Sequence, residues 1–257
     1  MSEYVSVDTV VNELRKRVIE WERRNWVPYP WRVNRNPYNV LVAEILLKRT
    51  TRQAVAREYP EFIRKFPDIY AINGASVEEV AAALKHLGLY KQRAEQLKEL
   101  AKALVERYSG KIPDDWRALA ELPGVGPYVA GAVLSFGFGK PAPVADSNVT
   151  RLLGRLLGAR LRRTEEYLCV LWILVPEDGH EYFNYGLIDL GAIVCGYRQP
   201  DCGKCPLGDL CVTYTEAKGK SRAEYLKKVY TEILRLSRDC SRTPRDVPAA
   251  KASSAKL

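Results

Sequence analysis

Four cysteines, Cys195, Cys202, Cys205 and Cys211, follow one another at the spacing C-x6-C-x2-C-x5-C. Four thiolates so spaced can hold either an iron–sulfur cluster or a structural zinc ion. Zinc sites typically use two short pairs, and here only Cys202-x2-Cys205 is such a pair. Upstream, Leu122-Pro123-Gly124-Val125-Gly126 reads as a tight turn that opens a helix near Tyr128. Gly124 and Gly126 remove Cβ atoms, so backbone N–H groups can approach a phosphate where the helix dipole also favours an anion. A plain interhelical turn would use the same residues. Between turn and cage lies Asp146, in Val144-Ala145-Asp146-Ser147-Asn148-Val149, just ahead of a helix start. Asp is a frequent N-cap there, and a fixed carboxylate can also oppose a positive charge. Glu44 stands mid-helix in the apolar run Leu41–Leu47, where burial without a partner would be costly. A solvated helix face is its ordinary alternative.

The 257 residues carry 40 Lys plus Arg against 31 Asp plus Glu, a formal charge of +9, which favours a polyanionic partner over an acidic small molecule. The charge is clustered. Arg151, Arg155, Arg160, Arg162 and Arg163 fall within 147–163 with no acid among them, and Lys48, Arg49 and Arg52 crowd the end of an apolar segment. Such runs suit a phosphate-contacting face. Six cysteines without an apolar leader point to a reducing, cytoplasmic setting, and runs such as Val40–Leu47 are too short to cross a bilayer. Cys169, in the apolar stretch Tyr167–Leu174, is read as a small buried hydrophobe outside the cage.

The elements that must position these residues are helices. Val10, Val11, Leu14, Val18 and Ile19 form a 3.6-period stripe over Val5–Trp21. The period continues through Tyr38–Leu47, Gln53–Phe66, Val77–Leu84, Gln92–Tyr108, Trp116–Glu121 and Tyr128–Phe136, then Ser147–Leu157, Glu165–Val175 and Phe183–Val194. Pro28, Pro30 and Pro37, Asn73-Gly74, and Gly110–Pro113 break it, and Ser76 with Glu79 forms a capping-box pattern. No segment alternates as a strand does. The expected fold is all-α with two helical lobes and the active site in the cleft between them. The motif order implies a six-helix lobe over 30–139 carrying the hairpin, and a cysteine-cage lobe from 1–29 plus 140–230. Residues 238–257, basic and without periodicity, read as a disordered tail.

The turn Leu122–Gly126, Asp146 with Asn148 and Arg151 behind it, and the cysteine cage together resemble the helix-hairpin-helix superfamily of DNA glycosylases, which includes endonuclease III and the MutY adenine glycosylases. The resemblance covers roughly residues 10–220. Glu44–Thr51 and Gly88–Leu97 look most like the archaeal Mig-type thymine glycosylases that act on T·G mismatches. The resemblance implies a base excision repair enzyme that hydrolyses the N-glycosidic bond of thymine or uracil mispaired with guanine, a monomer acting on double-stranded DNA. A MutY-like adenine glycosylase is the alternative, although such enzymes generally carry a further C-terminal domain for which this chain is short. A non-catalytic DNA-binding cluster protein is the other.

The resemblance also assigns roles. Asp146 would stabilise the oxocarbenium-like sugar as the base leaves, and Glu44 would lie in the base pocket. Tyr128 stands where lyase members place the lysine that forms a Schiff base, which implies base release without strong AP-lyase activity. A tyrosine there can stack on a flipped pyrimidine, while a core aromatic is its plain reading. Arg49 and Leu89 match positions that insert into DNA, Arg49 toward the orphaned guanine and Leu89 as an apolar wedge. A phosphate-binding arginine and a core leucine are the ordinary readings of that pair. Lys48, Gly124, Gly126 and Arg151 would complete the DNA contacts. The cysteine spacing, with Pro200 and Pro206 in its loops, matches the endonuclease III cluster. A structural [4Fe–4S] cluster is therefore expected, pinning a loop with Arg198 and Lys204 against the DNA backbone.

Overall fold

The computed structural model describes residues 6–219, 221–238 and 240, and every regular element among them is helical. These residues divide into two compact units, Val27–Lys140 and the described residues before Val27 together with those after Lys140. The chain opens with α1 (Val7–Asn25). The Val27–Lys140 unit holds α2 (Pro30–Val33), α3 (Pro37–Leu47), α4 (Arg52–Lys65), α5 (Ile69–Gly74), α6 (Val77–Ala83), α7 (Tyr90–Tyr108), α8 (Trp116–Ala120) and α9 (Pro127–Ala132). The second unit adds to α1 the helices α10 (Ser147–Leu157), α11 (Thr164–Leu174), α12 (His180–Asp189), α13 (Val212–Ala217) and α14 (Arg222–Ser237).

Short polar side chains set many of the helix starts. Asn36 accepts the Asn39 N–H at 2.8 Å ahead of Pro37, Thr51 accepts that of Ala54 at 3.2 Å, and Asp68 that of Ala71 at 2.8 Å. Ser76 and Glu79 close the expected capping box, with bonds of 3.1 and 2.7 Å. In the Val27–Lys140 unit the centre is α3, where every residue from Asn39 to Leu46 is buried. It packs against α2, α4, α7, α9 and the π-helical turn Val133–Gly137 that continues α9. That turn passes so close to the start of α3 that a Cβ on Gly137 would lie 2.8 Å from Pro37 Cα. Across the same unit α7 covers α5 and α6.

In the second unit α1 lies along α12, and α10 packs on α12 and α13. Arg15 of α1 donates to the last carbonyls of α11, Ile173 and Leu174, both at 2.9 Å, which satisfies groups a helix end leaves without intrahelical partners. α12 also continues as a π-helical turn, Leu190–Val194, ending at Cys195. α14 carries a buried stripe of Leu226, Val229, Tyr230 and Ile233, and the Tyr230 hydroxyl donates to Leu210 O at 2.7 Å.

Several expectations need correction. α1 runs to Asn25 rather than Trp21, and Pro30 starts α2 instead of only breaking the chain. Asn73 and Gly74 form the last turn of α5. Cys169 is not an isolated buried thiol: it is disulfide-bonded to Cys240, with Cα atoms 5.5 Å apart. Arg238 is the C-cap of α14 and Cys240 is held by the disulfide, while 239 and 241–257, the rest of the expected tail, lie outside the described residues. No helix among the described residues is long and apolar enough to cross a membrane.

Candidate active site

Asp146 caps α10. Its Oδ1 accepts the N–H groups of Asn148 and Val149, each at 2.8 Å, and its Oδ2 accepts Asn148 Nδ2 at 2.8 Å. The carboxylate is half-buried and its orientation is fixed from three directions. Asn148 passes the order on. Its Oδ1 accepts Arg151 Nη2 at 3.0 Å, while Arg151 Nε donates to Cys195 O at 2.9 Å and Nη2 to Gly191 O at 2.5 Å. Gly191 fits against Asn148 only because it lacks a side chain, since a Cβ there would lie 2.7 Å from Asn148 O. A continuous set of hydrogen bonds thus joins Asp146 to the first cysteine of the cage. Arg151 thus donates to the Asn148 side chain and to backbone carbonyls of its own unit. Arg155, also read as part of a phosphate-facing run, behaves alike, donating to Gly196 O at 2.8 Å and Tyr197 O at 2.9 Å, with Nη1 3.3 Å from Cys195 Sγ.

The remaining candidates lie in the Val27–Lys140 unit. Glu44 is only 4% exposed, which removes the solvated-face reading. One turn on, Lys48 donates from Nζ to Gly124 O at 2.6 Å, stitching the end of α3 to the hairpin. Burial pushes its ammonium pKa below the usual lysine value and Arg93 adds to this, while Glu44 pulls it back up. Gly124 has φ of 72°, which favours glycine, and a Cβ there would displace the end of the Gln96 side chain of α7, 1.8 Å away. Gly126 differs: it is the N-cap of α9 and a Cβ would meet nothing within 4 Å. Tyr128, in the first turn of α9, is half-buried. Leu89 is 47% exposed and Arg49 is exposed, so the core-leucine reading of Leu89 falls.

Cys195, Cys202, Cys205 and Cys211 line one cavity of about 180 Å³, walled by Leu152, Leu156, Pro200 and Leu207 among others. All four are free thiols and half-buried. Burial pushes the Cys205 thiol up to about 11 and raises Cys211 as well, the neighbouring thiols adding to both. Among the described residues, no group of three or more His, Cys, Asp or Glu is arranged so that it could hold a metal ion. Arg17 of α1 holds the loop from below through Pro206 O at 3.1 Å and an ion pair with Asp209. Arg155 and Gln96 had no separate role in the sequence reading, because their partners are 40 and 28 residues away in the chain.

Residues 42–172 match the pattern of the HhH-GPD superfamily base excision DNA repair proteins. Over 212 residues the chain is 40% identical to a thymine-DNA glycosylase of Aeropyrum pernix, covering 79% of this chain and 95% of that one. It is 38% identical over 219 residues to a thymine/uracil-DNA glycosylase of Methanothermobacter thermautotrophicus, covering 81% and 98% respectively. Among solved structures it is similar to a thermostable thymine-DNA glycosylase, with a TM-score of 0.78 at 35% identity and coverage of 81% and 98%.

Proposed function

We propose a specific reaction on the premise that this chain belongs to the HhH-GPD superfamily of base excision DNA repair proteins: hydrolytic release of thymine or uracil mispaired with guanine in double-stranded DNA. The observation that carries it is the Asp146 carboxylate, held by three hydrogen bonds at the start of α10. As the glycosidic bond breaks, positive charge grows on the sugar, and a carboxylate already oriented stabilises it without reorganising. The similarity to thymine and thymine/uracil glycosylases over nearly their whole length supports the choice of base.

Glu44 is the proposed pocket carboxylate, and Tyr128 the aromatic face for the flipped pyrimidine. Arg49 and Leu89 are proposed to fill the space the base leaves. Gly124 and Gly126 present backbone N–H groups to a phosphate, and Lys48 adds positive charge beside them. Hydrolysis is expected to stop at the abasic site. Tyr128 has no amine, and the Lys48 ammonium donates to Gly124 O.

The cage is proposed to hold a [4Fe–4S] cluster. Its donor set is four thiols lining one cavity, the ligand set such a cluster takes. Arg155 beside Cys195 Sγ offsets the negative charge such a group would bring. When bound, the cluster would supply folding free energy and leave bond cleavage to the side chains above.

The test is one turnover on a T·G duplex, with the free base identified by chromatography and the strand run on a denaturing gel before and after alkali. Thymine in solution, with strand breaks only after alkali, supports the reading. Release of no base, or of a different one, overturns it.

A further inference from the structure

We propose that Arg93 is a positioning residue that holds Arg49 and Leu89 in the backbone conformations from which they enter the duplex. This rests on the reading of those two residues as the inserted pair.

Arg93 lies in the first turn of α7 and is 4% exposed. Its guanidinium donates to three carbonyls: Nε to Gly88 O at 2.8 Å just before α7, Nη1 to Ile45 O at 2.7 Å in the last turn of α3, and Nη2 to Lys48 O just beyond α3. Gly88 and Lys48 are the residues immediately before Leu89 and Arg49. Those two have φ of 60° and 53°, in the left-handed region that side chains other than glycine seldom adopt. The only other such residue among the described ones, Ser109, sits at the C-cap of α7, an ordinary place for it. Two of the three unusual conformations therefore stand under one side chain.

The geometry explains why. The torsion φ of a residue is measured from the rigid peptide plane that precedes it. Fixing the Gly88 and Lys48 carbonyls fixes those planes, and with them the reference from which Leu89 and Arg49 turn outward. Neither residue has packing of its own to do this, since both side chains are exposed. A lysine could not substitute: an ammonium is a point donor, whereas the planar fork reaches all three carbonyls at once. The same first turns of α7 also reach the hairpin, where Gln96 packs against Gly124 and Lys48 bonds Gly124 O. Arg93 thus preorganises side chains that must act together during the short time a base spends outside the stack, when any ordering left to do lowers the yield.

The test compares wild type, Arg93→Lys, an Arg49→Ala/Leu89→Ala double variant, and the triple combination. Base flipping is read by stopped-flow fluorescence of 2-aminopurine next to the T·G mismatch, and excision by single turnover. The T·G duplex is set beside a duplex with thymine opposite an abasic site, where no partner base must be compensated. Arg93→Lys should slow flipping and T·G excision by about tenfold, a size typical of coupling between residues in contact. Excision opposite the abasic site should stay within about twofold, and the triple variant should be no slower than the double one.

Equal losses on both substrates, or additive losses in the triple variant, would reduce Arg93 to a general structural role and overturn the proposal. A double variant that flips like wild type would instead remove the reading of Arg49 and Leu89 as inserted residues, and the proposal with it. A measurement on the wild type stands apart from any folding defect. Amide hydrogen exchange in the free protein should show the 46–51 and 87–90 segments ordered, and exchange there at unprotected rates would contradict a preformed arrangement.

Discussion

At the N-terminus of α10, Asp146 combines a structural duty with the proposed chemical one, and a single substitution separates them. Asparagine caps helices about as well as aspartate, so Asp146→Asn should fold and bind DNA normally. It should nevertheless lose at least about 100-fold in single-turnover base release, the scale of removing one preorganised electrostatic group. Near-wild-type release would leave Asp146 a helix cap and nothing more. Tyr128 gives a gain-of-function counterpart. Wild type should yield little covalent complex with DNA under borohydride, whereas Tyr128→Lys should gain trapping and nicking, because it adds an amine able to form an imine with the sugar. Efficient trapping by the wild type would contradict a purely hydrolytic enzyme. At this scale, the sequence announced residues whose partners are close in the chain. The Asp146 cap could be read because its donors are two and three residues on. The use of Arg151 could not, because Cys195 is 44 residues away. Glu44 lay between these cases: an apolar helix suggests burial, yet only the packing around α3 decides whether a carboxylate within it meets water.

Helix positions followed from periodicity and caps, and α10 matches its expected bounds, Ser147–Leu157, residue for residue. The π-helical turns after α9 and α12 escaped, since they continue an apolar run while shifting its phase. The apolar stripe of α14 was present in the sequence but stood beside an aperiodic basic segment that masked it. The disulfide carried no signal at all, because Cys169 and Cys240 are 71 residues apart and match no motif. It joins α11 to the end of α14, and the loop it closes contains the whole cage. In the chain-entropy description, a cross-link over such a loop stabilises by about 4 kcal/mol. Cys169→Ser should therefore lower the midpoint of thermal unfolding by several degrees or more. An unchanged midpoint would show that the bridge adds nothing to the folded protein. The cage makes a separate prediction: anaerobically prepared protein should contain about four irons and four sulfides per chain. Stoichiometric zinc without sulfide would replace the cluster by a single structural ion.

For the molecule as a whole, the all-helical class was legible because helix signals are local and recur along the chain. The +9 charge pointed to a polyanion without naming it. What the charge count did not reveal is how the arginines are divided: Arg151 and Arg155 hold the cysteine loop, Arg93 is buried among carbonyls, and Arg49 stays exposed. A basic composition therefore serves internal order as well as binding, and only the fold separates the two uses. The central claim, that this whole assembly selects a pyrimidine mispaired with guanine, is tested most directly by single-turnover excision across T·G, U·G, A·G, A·8-oxoguanine and oxidised-pyrimidine duplexes under one set of conditions. Fast release of thymine and uracil opposite guanine, with the remaining duplexes slower by about 100-fold or more, is the predicted result. Preferential release of adenine opposite 8-oxoguanine would contradict it.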